Sequence, residues 1–136
     1  MELIDFKILN TAIERLLNKE MAEFGITYTQ ATVIGYLKQN TGREICQKDI
    51  EYTLGLTHPT VSSILSRMEE KQMVITEAQT NDHRYKRIVL TPKALEISDG
   101  IHIKIEQIAT RLFDGISKEE QDELSITMKK LIKNID

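Results

Sequence analysis

Residues 57–71 read Thr-His-Pro-Thr-Val-Ser-Ser-Ile-Leu-Ser-Arg-Met-Glu-Glu-Lys, and this stretch decides the fold. Thr57 is a good N-cap, because its hydroxyl can accept from the orphan backbone N–H groups of a first helical turn. Pro59 sits just inside the start, where its missing N–H costs nothing. At about 100° per residue, Val61, Ile64, Leu65 and Met68 fall on one side of the helix. The other side carries Pro59, Ser63 and Ser66, flanked by Thr60, Ser62 and Arg67. A plain surface helix carries Glu and Lys there, for solubility and propensity. Short hydroxyls and one guanidinium instead let a helix approach a flat polar surface closely, as the major groove of a duplex requires. On this segment alone, that reading and a solvated helix weakened by serines stand level.

The neighbours on both sides tip the balance. Upstream, Cys46-Gln47-Lys48-Asp49 opens a short helix with Ile50 and Leu54 inward and Gly55 closing it. Gly55-Leu56-Thr57 is then a tight connection. Two short helices joined by a turn of about three residues containing Gly form a helix-turn-helix, although a generic helical hairpin has the same spacing. Downstream, Met73–Glu77 and Tyr85–Leu90 are rich in β-branched residues and lack helical periodicity, with polar Ala78–Arg84 between them. A β-hairpin directly after a helix-turn-helix is a wing. Its basic tip would reach the backbone or the minor groove beside the recognition helix.

The flanks are helical. Leu3, Phe6, Leu9, Ile13, Leu16 and Leu17 recur at three- and four-residue steps, and Gly25 is a left-handed stop. Thr27 and Gln30 have capping-box form for a helix running to about Lys38. Asn40-Thr41-Gly42 is a turn, and Arg43-Glu44-Ile45 reads as a very short strand. After the wing, Thr91-Pro92 starts a helix whose apolar positions run from Leu95 to Leu112, and Asp114-Gly115 breaks it. Ser117–Glu120 is a capping box for a last helix aligned on Leu124, Met128, Leu131 and Ile135.

The order and spacing of several short motifs resemble the MarR (multiple antibiotic resistance regulator) winged-helix family. Asp82-His83-Arg84 followed by Val89-Leu90-Thr91 is similar to that family's Asp-x-Arg wing motif. Gln47–Ile50, Leu54-Gly55-Leu56, Thr60-Val61-Ser62 and Met68–Lys71 also fit, and the similarity spans roughly residues 27–95. One departure is Cys46, which stands where the family usually has a Ser or Thr cap; a thiol is a poor acceptor, so a weak cap is expected. The resemblance implies a homodimer built through terminal helices, and a small, often aromatic or lipophilic effector bound between the DNA-binding lobe and those helices. No residue of the sequence names that effector.

Composition sets the outer bounds. With 136 residues, 40% of them hydrophobic and 29% charged, the chain is an ordinary soluble globular domain with a real core. No apolar run approaches the roughly 20 residues that span a bilayer, and the acidic N-terminus does not look like a signal peptide. One cysteine fits a reducing cytoplasm. The net charge of −3 is unevenly spread: residues 43–93 carry 8 basic and 7 acidic side chains, while the flanks carry 4 against 5 and 6 against 9. Arg84, Lys86, Arg87 and Lys93 follow Asp82 without another acid, which places a basic tip on an otherwise acidic protein.

The candidate DNA-binding set is Gln47, Thr57, His58, Pro59, Thr60, Ser62, Ser63, Ser66, Arg67, Arg84, Lys86 and Arg87. Arg84 is the wing-tip candidate for the minor groove, and Asp82 is expected to orient Arg84 or Arg67 by accepting hydrogen bonds. Lys86 and Arg87 point to opposite faces of a strand, so at most one of them faces phosphate. His58 donates to phosphate or only covers the helix start. Glu69 and Glu70 are read as solvated. Cys46, with no second cysteine to resolve a disulfide, reads as inert rather than redox-sensing. The three histidines are too dispersed for a local metal motif, so no metal or cofactor is expected; the alternative is a zinc site if the fold gathers His58, His83 and His102 with Cys46. There is no Gly-rich phosphate loop, paired-carboxylate setting or nucleophile elbow, so no enzyme is expected.

The sequence therefore predicts a mainly α single domain with a small β-wing. Residues 27–93 form a winged helix-turn-helix lobe, and residues 1–24 and 94–136 form a helical dimerisation region. The function expected is a cytoplasmic, homodimeric, ligand-responsive repressor on a pseudo-palindromic double-stranded operator. The alternative is a helical protein-interaction module that never meets DNA.

Overall fold

The computed structural model describes residues 1–80 and 84–136. The elements are α1 (Leu3–Met21), α2 (Tyr28–Gln39), α3 (Gln47–Leu54), α4 (His58–Glu70), β1 (Val74–Ala78), β2 (Lys86–Leu90), α5 (Pro92–Leu112) and α6 (Lys118–Ile135). Residues 1–103 make one compact unit and residues 104–136 a second. This is the winged helix-turn-helix class expected from the sequence.

In the first unit the caps do what their residue types dictate. Thr27 accepts from the Gln30 N–H while the Gln30 side chain accepts from the Thr27 N–H, both at 3.1 Å, which closes the capping box at the start of α2. Asn18 of α1 takes the Tyr28 N–H at 2.8 Å. Gly25 and Gly55 both adopt left-handed backbone, at φ 71° and 66°, and so end the short 3-10 turn after α1 and the helix α3. At α3 the weak thiol acceptor is offset from the other side: the Asp49 carboxylate accepts from the Cys46 N–H at 2.9 Å and from the Cys46 thiol at 3.3 Å.

The core forms where α1, α2, α3, α4 and the wing base meet. Val61, Leu65 and Met68 of α4 are buried, as are Ile34 of α2, Ile50 of α3 and Val74 of β1, the elements on which α4 packs. Ile64, assigned to the same inward stripe, is only half-buried. β1 and β2 pair antiparallel, from Val74 opposite Leu90 to Ala78 opposite Lys86. The strand expected at Arg43–Ile45 does not form as a ladder. That stretch is tied to β2 by one backbone bond, in which the Ile88 N–H donates to the Ile45 carbonyl at 2.7 Å.

Thr91 joins the wing to α5. Its hydroxyl donates to the Gln72 carbonyl at 2.6 Å and accepts from the Ala94 N–H at 3.2 Å, and its own N–H donates to the Met73 carbonyl at 3.0 Å. Further along α5, Ser98 and Asp99 take the Lys38 ammonium of α2, at 2.9 and 3.0 Å. In the second unit, Ser117 and Glu120 form the expected capping box for α6.

The two faces of α4 should respond oppositely to truncation. Leu65→Ala removes a buried side chain and should cost about 2–5 kcal/mol. Ser66→Ala replaces an exposed serine with a better helix former and should change stability by no more than ~0.5 kcal/mol. Urea unfolding at a fixed protein concentration reads both; equal losses would mean that the helix is rotated from the orientation described.

Candidate nucleic-acid interface

The inward stripe of α4 leaves its hydroxyl face outside. Pro59, Thr60, Ser63, Ser66 and Arg67 are exposed, as are Thr57 and His58 at the helix start, and Ser62 is half-buried. Thr57 is committed to its cap: its hydroxyl accepts from the Thr60 N–H and donates to the Thr60 hydroxyl at 2.9 Å. The predicted set is divided between two grooves. Ser62 and Ser66 share a concavity with Gln47, Arg84 and Lys86, between α4 and the wing. Ser63 and Arg67 line another, with Asn18 and Thr29 at the start of α2. Thr29 was not singled out from the sequence, where it reads only as part of a capping box.

Gln47 fastens α3 to α4. Its side-chain amide lies 2.8 Å from the Ser62 hydroxyl, 3.3 Å from the His58 carbonyl and 3.1 Å from His58 Nδ1. His58 Nδ1 also lies 2.8 Å from a Glu51 carboxylate oxygen. A carboxylate only accepts, so Nδ1 carries the hydrogen and donates to Glu51. The two amide hydrogens of Gln47 then go to Ser62 and to the His58 carbonyl. Ser62 thus accepts a hydrogen bond from within the protein.

On the wing, Arg84 and Lys86 are exposed, and the Arg84 guanidinium lies 5.9 Å from the centre of the Tyr85 ring. Asp82 and His83 lie outside the described residues, so the orienting role expected of Asp82 has no geometry here. Arg87, also in the expected DNA-binding set, is ion-paired within the protein. Its Nε and Nη2 donate to Glu77 at 3.0 and 2.8 Å, and its Nη1 reaches Glu44 at 3.4 Å, so its charge is spent on two carboxylates. Glu69, read as simply solvated, accepts from the Thr76 hydroxyl and ties α4 to β1. Among the described residues, no three His, Cys, Asp or Glu side chains converge on a metal position, and no helix is long and apolar enough to cross a membrane.

Residues 24–84 match the model of the MarR family. The chain is similar over nearly its whole length to solved transcription regulators. A MepR–DNA complex from S. aureus has a TM-score of 0.89 at 23% identity, covering 96% of this chain and 94% of that one. The transcription regulator MarR from Oenococcus oeni PSU-1 has a TM-score of 0.80 at 27% identity, covering 94% and 96%. The transcriptional regulator SlyA has 0.89 at 20% identity, covering 98% and 92%. At these identities the MepR and SlyA likenesses speak for the fold.

The base of the wing is braced from the loop before α3. One Glu44 carboxylate oxygen accepts from the Thr80 N–H at 3.0 Å and from the Thr80 hydroxyl, and also receives Arg87. The Thr80 hydroxyl, then its N–H, hold the Glu44 carboxyl below the ordinary glutamate range; desolvation works against them, and the Arg87 charge adds a smaller push down. A depressed folded-state pKa means that the tie contributes at neutral pH and is lost as pH falls through the folded-state value. Thr80→Ala should therefore raise the Glu44 titration midpoint towards that of a free glutamate. The side-chain carboxyl 13C shift followed against pH measures it, and an unmoved midpoint would remove Thr80 as the main cause.

Proposed function

We propose that this chain is a sequence-specific double-stranded DNA-binding transcriptional repressor. It would act as a homodimer on a pseudo-palindromic operator and respond to a small ligand. The observation that carries this reading is the outward hydroxyl face of α4 with Arg67, set beside an exposed Arg84 and Lys86 on the wing. One face offers short donors and acceptors to base edges, and the other offers guanidinium and ammonium groups to phosphate or to a narrow minor groove. The likeness to a MepR–DNA complex supports the same reading.

The roles follow from the chemistry. Ser62, Ser63, Ser66 and Arg67 read the major groove, Arg84 enters the minor groove, and Lys86 meets phosphate. Gln47, His58 and Thr57 hold the recognition helix in place. The dimer is supported by apolar side chains left in water. Leu3, Ile4, Ile8 and Leu9 are exposed on α1, and in the second unit Leu124, Ile126, Ile132 and Ile135 are exposed on α6. Covering such faces is the ordinary reason for an isologous dimer. Two recognition helices in successive major grooves need a separation of about 34 Å. A ligand that favours a dimer with another separation lowers DNA affinity by its differential affinity for the two states. In keeping with the family resemblance, that effector is small and aromatic or lipophilic.

Two variants test the interface by fluorescence anisotropy, with a duplex from the region flanking the protein's own gene and a scrambled duplex as control. Arg84→Ala should weaken binding to the flanking duplex about tenfold or more, corresponding to at least ~1.4 kcal/mol, without changing the dimer on size exclusion. Unchanged affinity at matched salt would remove the wing from the interface. Ser63→Ala should narrow the gap between flanking and scrambled DNA, whereas Lys86→Ala should weaken both alike and flatten the salt dependence. Equal losses on both duplexes for Ser63→Ala would contradict groove readout.

A further inference from the structure

We propose that Glu44 is a positioning residue for DNA recognition, whose carboxylate, in the loop between α2 and α3, sets where the wing stands relative to α4. The proposal rests on the reading of the wing as a DNA-binding element and adds to it a residue that touches no DNA.

The wing is a two-stranded hairpin, and such a hairpin is only marginally stable alone, so its direction depends on what fastens its base. Two fastenings come from the loop before α3. The Ile45 carbonyl takes the Ile88 N–H at 2.7 Å, which pins β2 at its middle residue. Glu44 takes the N–H and hydroxyl of Thr80, two residues beyond the end of β1. The same carboxylate also receives Arg87, whose remaining donors hold Glu77, its direct cross-strand partner. Glu44 thus touches the hairpin on both strands' sides, near the end that carries Arg84 and Lys86. It reaches them from the segment that also carries Cys46, the cap of α3, and hence the helix to which Gln47 fastens α4. A displacement of the wing relative to the recognition helix has to break these bonds.

Electrostatics alone predicts the opposite of a helpful role. A carboxylate close to a phosphate-facing tip repels DNA, so deleting it should tighten binding. The brace predicts weaker binding. The sign of the change therefore separates the two.

The test is a double-mutant cycle read by anisotropy with the flanking-region duplex, on the full dimeric protein at fixed salt. Glu44→Ala should weaken binding about tenfold, and Glu44→Gln should weaken it less, because the amide oxygen still accepts from Thr80. In a background that carries Arg84→Ala and Lys86→Ala, Glu44→Ala should have little further effect, since no wing contact remains to be positioned. Binding by Glu44→Ala as tight as wild type or tighter would overturn the brace. So would an undiminished loss in the wing-deficient background, which would mark a general loss of folded protein. If the Arg84 and Lys86 double variant binds as tightly as wild type, the DNA-binding role of the wing fails first and the brace with it.

Discussion

Everything at this surface depends on one burial. Val61, Leu65 and Met68 have to leave water, and α4 carries them on one stripe. Each such side chain stabilises the folded state by roughly 1.5–3 kcal/mol when fully buried. No pairing available to a serine or threonine competes with that. The hydroxyl face is therefore outside because the apolar face is inside. That hydroxyl face inherits its orientation from the core rather than from any contact of its own.

A second layer of constraint is polar and local. Gln47 ties α3 to α4, Glu69 ties α4 to β1, and Glu44 with Arg87 ties the loop before α3 to the hairpin. These bonds connect elements whose hydrophobic contacts already bring them close. Exposed pairs of this kind contribute little to stability, since water and salt compete for each partner. What they contribute is alignment: each narrows the range of angles that the apolar contacts leave open.

Periodicity and caps made most of the fold legible in the sequence. The stripe of α4, the boxes at Thr27 and Ser117 and the glycine stops at Gly25 and Gly55 are local signals, and each names its own element. The misses have a different character. The strand expected at Arg43–Ile45 is reduced to one backbone bond to β2, because a ladder depends on a partner edge that the sequence does not display. The end of α4 carries no glycine; Gln72 takes the left-handed turn itself, at φ 61°, where composition gives no warning. For the candidate site, the sequence displays residue types but not which of them pair within the protein. Arg84 and Arg87 look alike in a basic run, and the cross-strand register that sets Glu77 opposite Arg87 gives that guanidinium its carboxylate partner.

Thr91 gives the junction between hairpin and α5 a mechanical character. One side chain and its own amide bind both the chain leaving α4 and the first turn of α5, so no spare residue lies between strand and helix to take up movement. A twist applied to that first turn is conveyed to the root of the hairpin as through a keyed shaft. The α5 end of this unit is in that sense a lever on the wing.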